Sequence, residues 1–374
     1  MFFLGGLLMR VTFTMALASG LMLASIARAT TLYDVTGLGT LGGNSSYACG
    51  INDSDQVVGW ADIVGNASYH AFLFSNSTMN DLGTLGGNNS IAYSVNDFGQ
   101  IVGYADPNIT VSSTFHAFLY SDGSMSDLGT MGGGVYSGAQ AINGSGQIAG
   151  NANDMGGTPH AFIYSGGSMS DLGTLGGLYS QAYGINDSGQ IVGRASTTDN
   201  EYYAFLYSGG SMSSLGSLGG TGSGAYGINN SGQVVGNATT PANLFTHAFL
   251  YSDGHMSDLG TLGGLYSYAL GINDSGQIIG YSSFSTGATT YHAFLYSNGE
   301  MSDLNSLIPS DSGWTLVRAT AINSYGDIVG DGINQSGQME AFLLTPTPEP
   351  TSLAILALSA MAVPLIRRRR AMQR

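Results

Sequence analysis

One short string of residues recurs along almost the whole chain and limits what the chain can fold into. His-Ala-Phe-Leu-Phe/Tyr-Ser returns every 43 to 48 residues, and a second string, Ile-Asn-Asp-Ser-Gly-Gln-Ile-Val-Gly, precedes each copy. Such a period indicates a chain built from copies of one supersecondary unit. The first string begins at His70, His116, His160, Tyr203, His247, His292 and Glu340, and the second at Ile51, Val95, Ile142, Ile185, Ile228, Ile272 and Ile322.

Each copy predicts four short strands separated by turns. An Asn-Asp-Ser-Gly turn at 186–189 joins the second and third strands of the fourth copy, because Asn and Asp bond their own backbone and Gly supplies the positive φ. The strands are almost continuously apolar, which is typical of sheets covered on both faces. In the fourth copy the predicted strands are 169–172, 181–185, 190–194 and 203–207.

Seven units of about 44 residues with four strands each predict an all-β fold, a seven-bladed β-propeller. The strand-like segment 31–38 has no preceding unit, and the last unit ends at Leu344 without its fourth strand. We expect the first segment to complete the last blade, so that all 28 strands are paired. The alternative is an open β-solenoid. The atypical segment 306–314 is expected to be a cap or the closure point of the ring.

The charge of the chain excludes one class of function. The 374 residues carry a net charge of −15 and contain no Lys, and between the two terminal segments the only Arg residues are Arg194 and Arg318. So acidic a body repels phosphate backbones, which excludes nucleic-acid binding. It could attract divalent cations such as Ca²⁺ weakly, but no cofactor is predicted. Cys49 is the single cysteine, so no disulfide holds the fold.

The N-terminal segment, residues 1–29, predicts a secretory signal peptide. Arg10 precedes the apolar run 11–26, and Ala27-Arg28-Ala29 forms a small-residue cleavage site that leaves Thr30 as the first mature residue. Translation from Met9 would give the short basic start that such signals have. The alternative is a transmembrane anchor.

The C-terminal segment, residues 346–374, contains three features in order. They are Pro348-Glu349-Pro350, the apolar run 353–366, and the cluster Arg367, Arg368, Arg369 and Arg370. Fourteen helical residues span about 21 Å, less than the hydrocarbon core of about 30 Å, so the run predicts a marginal transmembrane helix. Its arginines would remain cytoplasmic.

This tail resembles the PEP-CTERM sorting signal of Gram-negative bacteria. The resemblance implies export with signal peptidase, transient retention in the inner membrane, and processing by an exosortase near Pro348-Glu349-Pro350. It also implies a final location at the cell surface or in a biofilm or exopolysaccharide matrix.

The repeat, over residues 31–345, resembles the HAF repeat family of extracellular proteins, a resemblance that implies a location and brings no enzymatic activity. We therefore expect a signal peptide (1–29), a propeller (30–345) and a sorting tail (346–374). The predicted function is a non-catalytic binding or structural module that contacts an extracellular polysaccharide or a surface protein.

Two repeated features suggest metal sites but are better explained by structure. Equivalent histidines on seven blades lie too far apart to share one transition metal, so each is predicted to make a hydrogen bond between blades or to a turn. The Asn-Asp-Ser-Gly turns lack the distal bidentate acid of a calcium loop, so no metal ligands are predicted. The repeated histidines are His70, His116, His160, His247 and His292.

A single active site requires residues that only one or two copies possess. Trp60, Arg194, Glu201, Glu300, Trp314 and Arg318 break the repeat. The segment before each His-Ala-Phe string is the most variable, and variable loops on a rigid scaffold are common places for binding. Paired carboxylates would suit a glycoside hydrolase or lyase, the alternative function, but nothing marks two acids as partners. The candidate ligand residues are Asp62, Asp106, Asp154, Asp199 and Glu201.

Overall fold

A computed structural model describes residues 33–107, 114–287 and 290–347. They form seven four-stranded antiparallel sheets arranged as a seven-bladed β-propeller, which confirms the predicted fold class. The helices of these residues are two short 3-10 turns, Pro241–Asn243 and Leu304–Ser306, and neither could cross a membrane. The predicted signal peptide and cleavage site, the Pro-Glu-Pro motif, the apolar run 353–366 and the arginine cluster lie outside the described residues.

Four strands follow one another outward in each blade. First strands of neighbouring blades contact one another around the whole ring, so they lie nearest the axis. The chain begins with β1 (Tyr33–Gly37), which belongs to the last blade. The first three blades are β2 (Gly42–Ile51), β3 (Val57–Ile63), β4 (Tyr69–Ser75) and β5 (Thr78–Asp81); β6 (Ser90–Val95), β7 (Ile101–Ala105), β8 (His116–Ser121) and β9 (Ser124–Asp127); and β10 (Ser137–Ile142), β11 (Ile148–Asn153), β12 (Pro159–Ser165) and β13 (Ser168–Asp171).

The remaining blades repeat this order. The fourth, fifth and sixth are β14 (Gly176–Ile185), β15 (Ile191–Thr197), β16 (Tyr202–Ser208) and β17 (Ser211–Gly216); β18 (Ser223–Ile228), β19 (Val234–Thr239), β20 (Thr246–Ser252) and β21 (His255–Asp258); and β22 (Ser267–Ile272), β23 (Ile278–Ser283), β24 (Tyr291–Ser297) and β25 (Glu300–Asp303). The seventh is β26 (Thr315–Ile322), β27 (Ile328–Ile333), β28 (Met339–Pro346) and β1.

The ring closes in the seventh blade, as the sequence predicts. β1 pairs antiparallel with β28, with Val35 opposite Leu344, so the first strand of the chain supplies the outer strand of the last blade. The atypical segment 306–314 leads into this blade. Leu307 and Ile308 are buried in the core between the sixth and seventh blades, and the Leu307 carbonyl accepts a hydrogen bond from the Tyr33 N–H at 2.9 Å. This segment therefore lies at the closure point.

The adjacent Ala and Phe of the repeated string are explained by burial on both faces of a sheet. Successive side chains of a strand point to opposite faces. In β16, Phe205 packs in the core against the third blade, whereas Ala204 packs in the core against the fifth, and both are fully buried. Burying one Phe side chain contributes about 2–3 kcal/mol. The small Ala on the other face lets the next blade approach closely.

A β-bulge in the inner strand explains the Gly of the Ile-Val-Gly string. The register between β14 and β15 shifts after Ala182, so that Tyr183 is an extra residue on the inner strand. The Gln181 carbonyl then lies so close to Gly193 that a Cβ there would be 1.9 Å from its oxygen. Only glycine fits, and the same close approach occurs in all seven blades.

Two acidic residues meet where the first and last blades join. Asp55, with a φ of 57°, stands in the turn position that the other six copies give to glycine. Asp327 stands where the other six copies have Gln. Burial raises the pKa of the Asp327 carboxyl, and the charges of Asp55 and Asp53 raise it further. An ionised Asp327 therefore weakens this junction.

We predict that Asp327→Gln stabilises the protein by about 1 kcal/mol at pH 7. Folding raises the pKa of Asp327, so this carboxyl does not destabilise the folded protein below its unfolded pKa of about 4. The folded protein then loses stability as the pH rises through the pKa of Asp327 in the folded state. The gain from Gln should therefore disappear near pH 4. Urea unfolding at both pH values measures it, with Asp55→Gly as the companion variant. A gain of equal size at both pH values would contradict the explanation.

Candidate functional site: the axial cavities

A ring of apolar side chains divides the axial space of the propeller. Each inner strand contributes the residue at its last position to this apolar ring, and the ring borders both axial cavities. One cavity has a volume of about 300 Å³ and the other about 590 Å³. The apolar ring consists of Ile51, Val95, Ile142, Ile185, Ile228, Ile272 and Ile322.

The smaller cavity is lined by seven buried asparagines, which we call the amide ring. The Nδ2 of each asparagine donates a hydrogen bond to the backbone carbonyl of its counterpart in the next blade, at 2.9 to 3.4 Å. The last of these bonds, from Asn323 to Asn52, closes the circle. The amide ring therefore ties every blade to the next. Its members are Asn52, Asn96, Asn143, Asn186, Asn229, Asn273 and Asn323.

Carboxylates surround the mouth of this smaller cavity. Asp53, Asp97, Asp187 and Asp274 follow the amide-ring residues in four blades, and they accept backbone hydrogen bonds from the preceding blade. The Asp53 carboxylate, for example, accepts from the Ser324 N–H at 2.9 Å. Within the described residues, no group of three or more His, Cys, Asp or Glu is arranged to hold a metal ion.

The larger cavity, which we call the aromatic cavity, lies on the other side of the apolar ring. Its wall is formed mainly by the bulge residue of each inner strand, together with Trp60 and Arg318. The bulge residues vary inside a string that otherwise repeats as Ala-x-Gly/Ala/Ser-Ile/Val-Asn, and this variation is the signal in the sequence that could have indicated them. The bulge residues are Cys49, Tyr93, Gln140, Tyr183, Tyr226, Leu270 and Thr320.

The phenols and the thiol of this wall are uncharged at neutral pH. Burial raises the pKa of Tyr183 to about 12, although the nearby Arg194 opposes the shift. Burial also raises the pKa of Tyr93 and of Tyr226. The pKa of the Cys49 thiol is raised by burial to about 12, so this cysteine is a poor nucleophile. The wall therefore offers aromatic faces and neutral hydroxyl groups.

Two of the residues that break the repeat, Trp60 and Arg318, line the aromatic cavity. The Trp60 ring stacks on Tyr47, with ring centroids 4.2 Å apart. The Arg318 Nη2 and Nε donate to one Asp331 carboxylate oxygen at 2.7 and 2.9 Å. Burial raises the pKa of the Asp331 carboxyl, while Arg318 opposes the shift. The charge of Arg318 is therefore balanced inside the protein.

Arg194 adjoins the same cavity through a shared acceptor. Its Nε and Nη2 donate to the Gln181 Oε1 at 3.0 and 2.9 Å, and the Tyr183 hydroxyl donates to the same oxygen at 2.7 Å. The Arg194 guanidinium lies 5.5 Å from the centre of the Tyr202 ring. The other repeat-breaking residues lie elsewhere: Glu201 precedes β16, Glu300 begins β25, and Trp314 packs against Phe342.

The predicted ligand acids are spread over four blades. Asp62 lies in β3, and Asp106 follows β7, where its Oδ2 accepts hydrogen bonds from the Asn89 backbone and side chain at 3.1 and 3.0 Å. Asp154 lies in the turn after β11 and accepts two backbone hydrogen bonds within that turn. Only Asp199 and Glu201 share a connection, between β15 and β16.

The repeated histidines bond an outer-strand aspartate of their own blade, not the neighbouring blade or a turn as the sequence predicts; only His160 also lies 3.1 Å, through Nε2, from a carbonyl of the next blade, that of Leu178. The Nδ1 of each lies 2.6 to 2.8 Å from an Asp carboxylate oxygen in the outer strand, and the Asp81 carboxylate also accepts from the Gly83 N–H in the following turn. In the seventh blade Glu340 replaces the histidine and its carboxylate accepts from the Gly39 N–H. The pairs are His70–Asp81, His116–Asp127, His160–Asp171, His247–Asp258 and His292–Asp303.

The fold and the cavity define a seven-bladed β-propeller with a ligand-sized axial cavity. Residues 217–342 match the sequence model of a family described as "Protein of unknown function (DUF3466)". No curated protein matches the chain.

Several solved structures are distantly similar. TolB from Acinetobacter baumannii is 12% identical, with a TM-score of 0.44 over 68% of this chain and 65% of that one. A gluconolactonase from Xanthomonas campestris is 11% identical, with a TM-score of 0.40 over 86% and 93% of the two chains. A sialidase from Trypanosoma rangeli is 11% identical, with a TM-score of 0.39 over 82% and 55%. Similarity this distant carries no information about function.

We predict that Asn186→Ala lowers the free energy of unfolding by about 2–4 kcal/mol, because it leaves buried polar partners unbonded. The change leaves the Asn229 carbonyl and the Gln190 side chain without the buried amide that bonds both. Asp154→Ala is the matched control, because its carboxylate bonds only its own turn; it should cost about 1 kcal/mol. Chemical denaturation measures both, and equal losses would contradict a role of the amide ring in joining blades.

Proposed function

We propose that this protein is a non-catalytic binding module whose aromatic cavity holds a segment of an extracellular polysaccharide. The observation that carries the proposal is the wall of the cavity, which Trp60, Tyr93, Tyr183 and Tyr226 line together with the Gln140 amide. A sugar ring has apolar C–H faces and a rim of hydroxyl groups. Aromatic rings can bury such faces, while neutral phenols and amides bond the hydroxyls.

The size and support of the cavity fit this role. Its volume of about 590 Å³ lies within the range of about 300–1,000 Å³ typical of small-ligand sites. Its wall stands on seven paired inner strands, whose bulges hold the side chains in place. Sites on paired strands are more rigid than sites on loops, which favours binding without a large entropic loss.

Hydrolysis of a glycan is the less favoured function. Glycoside hydrolases use two carboxyl groups about 5 to 9.5 Å apart. The Asp331 carboxyl beside the cavity is held by Arg318, and the acids named from the sequence belong to separate blades apart from Asp199 and Glu201.

We predict that the purified protein binds an extracellular polysaccharide without cleaving it. Trp60→Asn should weaken binding about tenfold or more, because it removes a stacking face. Asn occupies the equivalent position, Asn151 and Asn237, in two other blades, so the fold should tolerate it. Tyr325→Ala is the control, since Tyr325 is 69% exposed on a hairpin beyond the amide ring.

A glycan array, titration calorimetry and a degradation assay test this prediction together. Absence of glycan binding, or equal binding by the Trp60→Asn variant, would reject the proposal. Glycan turnover that Asp199→Asn or Glu201→Gln abolishes would replace it with a hydrolase or lyase.

We also propose that the protein acts at the cell surface or in the matrix of a Gram-negative bacterium, as an exported HAF-repeat protein. The sequence of residues 1–29 and 346–374 supports the location, and the repeat over residues 31–345 supports the HAF-repeat resemblance. Signal peptidase, an exosortase and the inner membrane would be its partners during export. A polysaccharide-binding propeller with such signals would attach to, or organise, the extracellular polysaccharide.

We predict that replacing Pro348, Glu349 and Pro350 by alanine leaves the protein in the membrane fraction of a host that contains an exosortase. Thr351→Ala with Ser352→Ala is the matched control and should be sorted normally. Cell fractionation and mass spectrometry of the C-terminus provide the measurement. Wild-type protein that reaches the surface with Arg367 to Arg370 still attached would contradict the sorting role.

A further inference from the structure

The fourth blade departs from the repeat at several positions that lie together. Tyr203 replaces the histidine of the His–Asp pair, and Ser214 replaces its aspartate. Arg194 occupies a position on the second strand that is Asn or aromatic in five other blades and Asp in the seventh. Tyr179 and Tyr202 expose 38% and 39% of their surfaces. One blade therefore combines a cation with exposed aromatic rings.

These side chains form a continuous series that starts at the aromatic cavity. Tyr183 lines the cavity and shares the Gln181 Oε1 with Arg194. The Arg194 guanidinium lies over the ring of Tyr202, and that ring stacks against Tyr179 with centroids 6.4 Å apart and planes at 26°. We call this series, from Tyr183 to Tyr179, the blade-four track.

Arg194 is the cation with spare hydrogen-bond donors in this track. A guanidinium has five N–H donors in a planar fork, and Gln181 receives those of Nε and Nη2. Within the described ranges, no carboxylate lies within ion-pair distance of Arg194. Arg318, the other arginine of these residues, is already paired with Asp331 at 2.7 Å.

An unpaired guanidinium is unexpected on so acidic a protein. The chain has 24 acidic residues, yet none of those described is placed beside Arg194. Planar guanidinium groups match planar carboxylates, which they bind by two parallel hydrogen bonds. The Tyr202 and Tyr179 rings on one side provide stacking surfaces for the sugar units that would carry such a carboxylate.

We propose that the blade-four track extends the aromatic cavity and binds an acidic polysaccharide, with the carboxylate of a uronic acid unit on Arg194. This inference rests on the proposed function and specifies its ligand class. Neutral sugar units occupy the aromatic cavity, and the charged unit lies outside it over the fourth blade. The general negative charge of the protein weakens the binding of other polyanions, so recognition requires this one position.

The test compares acidic and neutralised forms of the same polymers. Titration calorimetry at low salt measures the binding of oligomers of polygalacturonate, alginate and hyaluronate, each beside its methyl ester. The wild-type protein should bind at least one acid form about tenfold more tightly than the ester, a ratio that falls as salt rises. Arg194→Asn should reduce the ratio to about twofold or less, chiefly by weakening the binding of the acid form.

Two variants separate the local effect from the overall charge. Arg194→Lys keeps the charge but loses the planar fork, so it should retain only part of the preference. Ser168→Glu adds one negative charge at the first position of the outer strand β13, where the sixth blade has Glu300, and it should keep the full preference. Melting temperatures within a few degrees of wild type establish that each variant is folded.

Failure of the blade-four track can be distinguished from failure of the polysaccharide-binding function. Equal binding of acid and ester forms by the wild type, or a preference that survives Arg194→Asn, overturns the blade-four track and leaves the polysaccharide-binding function standing. Absence of binding to every glycan overturns both. A preference that Ser168→Glu also removes assigns the effect to net charge and overturns the role of Arg194.

Discussion

The hydrogen bonds of the amide ring are the interaction on which the rest of the propeller depends. Each buried asparagine joins its own hairpin to the carbonyl of the next blade, so no blade is held by apolar packing alone. Apolar packing between sheets is non-directional, whereas an amide bonded at a fixed place sets the angle and height of each blade. Because the ring closes between Asn323 and Asn52, the directional contacts at the axis run through every blade.

The bulge next to the amide ring links stability to function. It places one extra residue of each inner strand toward the axis and forces a glycine on the second strand, as at Tyr183 and Gly193. The backbone conformation at the bulge is therefore the same in every blade, while the bulge side chain can vary at little cost to packing. The wall of the aromatic cavity combines Cys49, Gln140 and several tyrosines for this reason. A symmetric scaffold can therefore carry an asymmetric ligand site.

Partner residues change together where the repeat departs from its pattern. Glu340 stands in place of a histidine, and its carboxylate occupies the space left by Gly37, the counterpart of the paired aspartate. Tyr203 and Ser214 replace both members of the pair in the fourth blade. Such paired changes keep the outer strand bonded to its blade. Arg194 differs from these cases because its cross-strand partner, Gln181, bonds it but leaves its charge unbalanced.

The sequence by itself determined the fold class, the number of blades and the closure by the N-terminal strand. It did so because the turn residues and the strand pattern are local properties of the sequence, and the same residues recur in each copy of the repeat. It also marked Trp60, Arg194 and Arg318 as departures from the repeat. It did not indicate the aromatic cavity, since residues more than 40 positions apart meet there only when the ring closes. Tertiary structure likewise decided that Arg318 is neutralised by Asp331 and Arg194 is not, because charge balance depends on distances that no repeat pattern contains.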